Sequence, residues 1–122
     1  MMNVSDIESG TVYLVGAGPG DPGLITLRGV ECLKGADVVI CDYLANEALL
    51  DHAGEGAEII LLGSYGSGRS ISQDEIMEMM VDQAKQGRTV VRLKGGDPSI
   101  FGRGAEEAEV LRGEGIPYEI VP

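Results

Sequence analysis

Residues Val90–Gly104 read VVRLKGGDPSIFGRG and give the strongest structural signal in the chain. A run of apolar and β-branched residues predicts a buried strand, which continues into the glycine pair Gly95-Gly96 and then Asp97. The glycines let backbone amides and carbonyls approach a ligand without Cβ atoms in the way, and Asp97 adds a charged acceptor. Ligands of open α/β sheets bind at the carboxyl ends of the strands, where this turn would lie.

A second glycine turn of the same kind follows an apolar run near the start, in Val12–Gly23, VYLVGAGPGDPG. Taken alone, the first turn also fits a simpler interpretation, in which Asp97 caps the next helix and Pro98 occupies its first turn. Two such turns after apolar strands favour a shared ligand cleft instead.

The second turn resembles a dinucleotide-binding loop, because Gly16-Ala17-Gly18 follows one strand and Asp42 ends the next. Asp21, however, stands in place of the third glycine, and its carboxylate would repel a pyrophosphate. Pro19 and Pro22 also lack the amides that would bind it. The chain has no phosphate-binding GK[ST] sequence either. A ligand with a cationic centre, such as S-adenosylmethionine, therefore suits these loops better than NAD.

The order of elements predicts an α/β fold. Short runs rich in β-branched and aliphatic residues predict five strands, at Thr11–Val15, Val38–Cys41, Glu58–Leu62, Val90–Leu93 and Tyr118–Val121. Helical patterns lie between them at Thr26–Lys34, Asn46–Asp51, Ser72–Gln86 and Gly104–Arg112. We expect a mostly parallel five-stranded sheet with helices on both faces, because a parallel crossover needs a covering helix.

Two of the helical patterns make sharper predictions. In the third, Ser72 and Glu75 have the spacing of a capping box. Its apolar face would comprise Ile76, Met79, Met80 and either Gln83 or Ala84. In the fourth, we expect an inner stripe of Ala105, Ala108 and Leu111.

Composition limits the classes of function. A chain of 122 residues fits one domain, and residues 1–10 are expected to be a flexible tail without signal-peptide character. A net charge of -11 argues against nucleic-acid binding, and no apolar run is long enough to cross a membrane. Cys32 and Cys41 are expected to be buried thiols in a reducing cytoplasm. With one histidine and no CxxC sequence, no metal site is expected.

Three segments, 12–27, 36–42 and 90–107, together resemble the tetrapyrrole methylases, most closely those that methylate uroporphyrinogen III. The string RLKGGDPSIFGRG is far more specific than a glycine motif alone. The similarity runs in order over residues 11–122 and covers the amino-terminal domain of such an enzyme, so the carboxy-terminal domain is absent from this chain.

The resemblance implies an S-adenosylmethionine-dependent, homodimeric enzyme that methylates two pyrrole carbons of uroporphyrinogen III to give precorrin-2, for siroheme and cobalamin synthesis. The implied cofactor contacts are Pro19, Gly95, Gly96, Asp97 and Ile100, and Asp42 matches the family's proposed proton acceptor. Because the implied cofactor site lies between two domains, we expect this chain alone to be inactive and to bind the product S-adenosylhomocysteine weakly.

The chain departs from the family pattern after the third strand, where Gly63-Ser64-Tyr65 replaces a common Gly-Lys-Arg. Ser64 cannot act as the cationic proton donor that the lysine is proposed to be. Two alternatives therefore remain: a methylase of another corrin or precorrin intermediate, and a non-catalytic domain of the same fold. Arg69, Lys94 and Arg103 could offer charge to a carboxylate-rich substrate. The final strand lacks a following helix, so we expect another protomer or further chain to cover it.

Overall fold

The computed structural model describes residues 10–16, 25–42, 47–62, 72–95 and 102–121. Within these ranges lie five strands: β1 (Val12–Gly16), β2 (Val38–Asp42), β3 (Glu58–Leu62), β4 (Val90–Lys94) and β5 (Tyr118–Val121). They alternate with three α-helices, α1 (Leu27–Gly35), α2 (Gln73–Lys85) and α3 (Gly102–Gly113), and with a 3-10 helix at Glu47–His52. All the predicted strands and helical segments are confirmed, with ends that differ by two residues at most.

The strands form one sheet in the order β3-β2-β4-β1-β5, and every pair of neighbours is parallel. The side chains of β1 and β4 are buried along their whole length, as expected for central strands covered on both faces. The predicted α/β class with a parallel five-stranded sheet is therefore confirmed.

Helices cover both faces of the sheet, as predicted. On one face α2 and α3 pack against alternate strand residues that include Leu14, Ile40 and Val90. On the other face α1 and the 3-10 helix pack against the intervening residues, among them Val15 and Val91. The two hydrophobic cores follow from the strand period of two, which sends successive side chains to opposite faces.

The start of α2 confirms the predicted capping box. Ser72 Oγ accepts a hydrogen bond from the Glu75 amide, and the Glu75 side chain accepts one from the Ser72 amide. The buried face of α2 comprises Ile76, Met77, Met80 and Ala84, with Met79 partly buried beside them. The prediction was correct for this face but missed Met77.

The predicted inner stripe of α3 was wrong at one position. Ala108 and Leu111 are buried, but Ala105 is exposed, and Glu107 occupies the buried stripe instead. A carboxylate can lie there because Arg92 and Lys94 of β4 neutralise it. Apolar patterning cannot predict a buried charge whose partners lie on another element.

Three expectations from composition can be compared with the described residues. Cys32 and Cys41 are buried thiols, as predicted. The search of the described part of the chain found no helix long and apolar enough to cross a membrane, and no group of three or more side chains suited to a metal ion. The expected tail at residues 1–10, apart from Gly10, lies outside the described residues, and so do residues 63–71, which include Ser64 and Arg69.

Candidate functional site

The ends of four strands lie in one row at the carboxyl edge of the sheet. Gly16 of β1 is paired with Lys94 of β4, and Asp42 of β2 is paired with Leu62 of β3. Because Cys41 is paired with Leu93, Asp42 is level with Lys94. Neighbouring strands are about 4.8 Å apart, so the backbones of Asp42 and Gly16 are separated by about 10 Å. The segments that follow these strands therefore all leave from one edge.

The connections after β1 and β4 diverge at this edge. The chain passes from β1 to α1 on one face of the sheet, and from β4 to α3 on the other face. Such a divergence between neighbouring parallel strands opens a crevice, where ligands of open α/β sheets bind. The two glycine-rich segments predicted to share a cleft thus begin at neighbouring strand ends.

Two of the candidate site residues can be placed. Gly95 is half-buried in the bend directly after β4, and Asp42 is the last residue of β2. The side chain of Asp42 lies outside the described residues. The other predicted cofactor contacts also lie outside them: Pro19, Gly96, Asp97 and Ile100. Their roles stay predictions.

The strand order adds an argument against dinucleotide binding. In the dinucleotide-binding fold the first two strands are neighbours, so an acidic residue ending the second can reach the ribose. Here β4 lies between β1 and β2, which moves Asp42 one strand further from the glycine turn after Gly16. The dinucleotide-binding pattern in the sequence is therefore not matched by the strand order of the sheet.

Lys94 is buried, so it is not an exposed cation offered to a substrate. Its side chain is only 6% exposed, and Nζ lies 3.1 Å from Oε1 of Glu107, which is fully buried. The side chains of Arg69 and Arg103 lie outside the described residues. No substrate-binding cation can therefore be assigned from the described part of this edge.

A buried polar cluster around Glu107 was missed in the sequence analysis. Oε2 of Glu107 accepts hydrogen bonds from Arg92 Nε, at 3.3 Å, and from Gln73 Nε2, at 3.1 Å. Arg92 and Lys94 alternate with apolar residues along β4, which places both on the face covered by α3. Two basic residues on one face of a buried strand could have predicted a buried acidic partner.

The start of α1 is held close to the end of β1. Thr26 caps the helix by accepting a hydrogen bond from the Gly29 amide at 3.1 Å. A Cβ atom on Gly29 would lie 3.1 Å from Val15 Cγ1 and 2.9 Å from Ile25 Cγ1. A larger residue here would force neighbouring side chains to move, so glycine lets α1 pack closely against the end of β1.

Comparison with known families agrees with this architecture. The family described as Tetrapyrrole (Corrin/Porphyrin) Methylases matches residues 11–122. The chain belongs to this family. The match includes β1, β4 and the segments that follow them, so the tetrapyrrole methylase resemblance noted in the sequence is confirmed.

Individual members of the family are similar over nearly the whole chain. An "S-adenosyl-L-methionine-dependent uroporphyrinogen III methyltransferase" from Methanosarcina barkeri is 51% identical over 113 residues, which is 93% of this chain and 44% of that protein. A "Siroheme synthase" from Mannheimia succiniciproducens is 50% identical over 117 residues, covering 96% of this chain and 25% of the relative. The chain therefore spans less than half the length of these relatives.

A solved structure has the same fold. The uroporphyrin-III C-methyltransferase from Thermus thermophilus, complexed with S-adenyl homocysteine, superposes with a TM-score of 0.75 at 45% identity. The match covers 92% of this chain and 44% of that protein. At this identity the similarity extends beyond the fold to the sequence of the tetrapyrrole methylase domain.

Proposed function

We propose that this chain forms the amino-terminal part of an S-adenosylmethionine-dependent methyltransferase that converts uroporphyrinogen III to precorrin-2. The observation that carries the proposal is the adjacency of β1 and β4, whose glycine-rich continuations begin side by side at the carboxyl edge. The names of the similar proteins supply the reaction and the substrate class. The enzyme would act as a cytoplasmic homodimer and supply siroheme and cobalamin synthesis.

The cofactor would contact Pro19 from the segment after β1, and Gly95, Gly96, Asp97 and Ile100 from the segment after β4. Gly95 directly follows the strand end that is paired with Gly16, so both segments begin within one strand spacing. Lys94, a cation at this edge, is already neutralised by Glu107. The described part of the edge therefore suits the sulfonium of S-adenosylmethionine better than a pyrophosphate.

Asp42 would act as the base. In methyl transfer, a pyrrole carbon of the substrate supplies the electron pair, and the bond between methyl and sulfonium breaks with its pair left on sulfur. Aligning the reactants gives most of the rate, and a base removes the proton that the macrocycle must lose. Asp42 ends the strand next to β4, at the level of the glycine turn, which supports this role.

Ser64 is also compatible with two other functions. It stands where the family commonly has the lysine proposed as proton donor, so the donor is unassigned in this chain. A methylase of another corrin or precorrin intermediate could use a different donor, and a non-catalytic domain would need none. The family itself includes methylases of both corrins and porphyrins.

Anaerobic incubation of the naturally expressed protein with uroporphyrinogen III and S-adenosylmethionine tests the proposal. We expect a product that carries two added methyl groups, read by mass spectrometry. Cofactor binding without turnover would favour the non-catalytic domain, and methylation of a precorrin alone would favour the other substrate. Ser64→Lys in the same protein should then raise kcat if the lysine position supplies the proton.

The isolated 122-residue chain provides a second test. We expect it to be inactive and to bind S-adenosylhomocysteine only weakly in calorimetry, because the rest of the implied pocket belongs to another domain. Micromolar or tighter binding by the isolated chain would contradict a site shared between domains.

A further inference from the structure

The carboxylate of Glu107 accepts hydrogen bonds from three side chains on two other elements. Lys94 Nζ donates to Oε1 at 3.1 Å, and Arg92 Nε and Gln73 Nε2 donate to Oε2 at 3.3 and 3.1 Å. Glu107 has no exposed surface, and the Arg92 and Lys94 side chains are 3% and 6% exposed. One buried carboxylate thus joins α3, β4 and α2.

The elements that this carboxylate joins border two segments at the carboxyl edge. Lys94 is the last residue of β4 and directly precedes the glycine segment 95–101. Gln73 is the first residue of α2 and closely follows segment 63–71. Glu107 itself lies in α3, which begins at Gly102, where the glycine segment ends. Glu107 therefore links the last residue of β4 and the first residue of α2 to α3.

A buried ionic cluster of this kind is weak evidence for stability. Packed apolar residues of the same volume often stabilise a core as well as a buried ion pair does, because charges lose their hydration on burial. Charged hydrogen bonds, in contrast, hold their partners at defined distances and orientations. The cluster also holds two cations on one carboxylate, so removing the carboxylate would leave both cations without this counter-charge.

We propose that Glu107 is a positioning residue that holds the carboxyl end of β4, from which the chain continues into the predicted cofactor contacts Gly95, Gly96 and Asp97. Glu107 acts through Lys94, which is the last residue of β4, and through its own helix α3, which begins at Gly102. The inference rests on the proposed function, because it concerns the affinity of the same site for S-adenosylmethionine and S-adenosylhomocysteine.

Glu107→Gln in the naturally expressed protein tests this role, because the amide keeps the shape of the side chain and removes its charge. We expect the Kd of S-adenosylhomocysteine to rise about tenfold, since a misplacement of about 1 Å can cost about 10²-fold and a smaller shift costs less. We expect the KM of S-adenosylmethionine to rise in parallel, with kcat lowered by less than about threefold.

Leu111→Ala is the matched control. Leu111 is also fully buried in α3, one turn beyond Glu107, and belongs to the hydrophobic core. Truncating Leu111 costs stability by leaving a cavity. Its side chain has no polar atoms and takes no part in the Glu107 cluster. We expect Kd to stay within about twofold of the original protein, which separates positioning from general destabilisation.

Lys94→Met is a second variant that keeps the inference testable if Glu107→Gln does not fold. Arg92 remains to neutralise Glu107, so this substitution leaves no buried carboxylate without a cation. We expect the variant to fold and Kd to rise about fivefold or more, because the end of β4 loses its contact with Glu107.

The outcomes distinguish this inference from the proposed function. If the original protein binds S-adenosylhomocysteine and both Glu107→Gln and Lys94→Met leave Kd unchanged, the positioning role is overturned while the proposed function stands. Equal losses in these variants and in Leu111→Ala also overturn it. Failure of the original protein to bind the ligand would overturn the proposed function, and the inference with it.

Discussion

Arg28 of α1 donates two parallel hydrogen bonds to the carboxylate of Glu119 in β5. The Nη2–Oε1 distance is 2.7 Å and the Nε–Oε2 distance is 3.0 Å. The same guanidinium lies over the ring of Tyr13 in β1, with Cζ 5.6 Å from the ring centroid. One side chain therefore fastens the helix that follows the first glycine segment to a central strand and to the edge strand.

Arg28→Lys should weaken this link. A lysine keeps the charge but loses the paired hydrogen bonds and the planar contact with Tyr13, so we expect a loss of about 0.5–1 kcal/mol in unfolding free energy. Urea unfolding at low and high salt measures the loss, which should shrink at high salt because Arg28 and Glu119 are partly exposed.

Lys85→Gln is the control for the ion pair. Lys85 and Glu114 form a single contact of 2.7 Å between half-exposed side chains. Losing this contact should leave the free energy of unfolding nearly unchanged. Equal effects of the two substitutions would show that the paired geometry at Arg28 adds nothing.

Gly29→Ala should destabilise the packing of α1 on β1. The added methyl would crowd the side chains of Ile25 and Val15, so these side chains or the helix must shift, at a cost of about 1–3 kcal/mol. Thermal unfolding measures the effect. Gly113→Ala, at the end of α3 with no atom within 4 Å of the added carbon, should instead stabilise by a few tenths to about 1 kcal/mol.

Thr11→Val should raise stability. Thr11 is buried, and its hydroxyl oxygen has no hydrogen-bond partner in the part of the chain that the structure describes. Replacing it with a methyl group of similar shape removes an unsatisfied polar atom, for a gain of about 1 kcal/mol. Thr26→Val makes the same chemical change at the cap of α1 and should cost about 1 kcal/mol. Chemical denaturation measures the free energy of unfolding of both variants. Changes of the same sign in the two variants would contradict this account.

Asp42→Asn should lower kcat by about 10²–10⁴-fold in the naturally expressed protein, because the amide cannot accept a proton. The Kd of S-adenosylhomocysteine should change little, since the cofactor contacts are assigned to other residues. Asp37→Asn, just before the opposite end of β2, is the matched control. Asp37 Oδ2 accepts the Thr89 amide at 2.8 Å, and an asparagine oxygen can keep that bond, so kcat should be retained. A normal kcat for Asp42→Asn would remove Asp42 from the mechanism.

The sequence predicted the elements well because their signals are local. Apolar runs marked β1 and β4, and the Ser72 cap marked the start of α2 within one residue. The order of strands across the sheet depends on packing between distant segments, and no local pattern specified that β4 lies between β1 and β2.

The candidate site was predictable only in part, for a similar reason. Residues next to glycine turns could be read from the sequence, and Asp42 and Gly95 do lie at the carboxyl edge. Glu107 was missed because a carboxylate on a helix normally predicts an exposed position. Its burial depends on Arg92 and Lys94, which are neighbours in space but 15 and 13 residues away in the chain.

The pairing of strand ends at the carboxyl edge also restricts how the length of this protein can change. Deleting one residue inside β4 would rotate every later side chain of that strand to the opposite face. Deletion of Val91, for example, would turn Arg92 and Lys94 into the apolar layer beneath α1, and Glu107 would face Leu93 and Gly95 in their place. We therefore expect β4 not to tolerate the insertion or deletion of a single residue. A reporter peptide is better grafted at the other rim, for example at Gly87, where an added Cβ atom would meet no other atom within 4 Å.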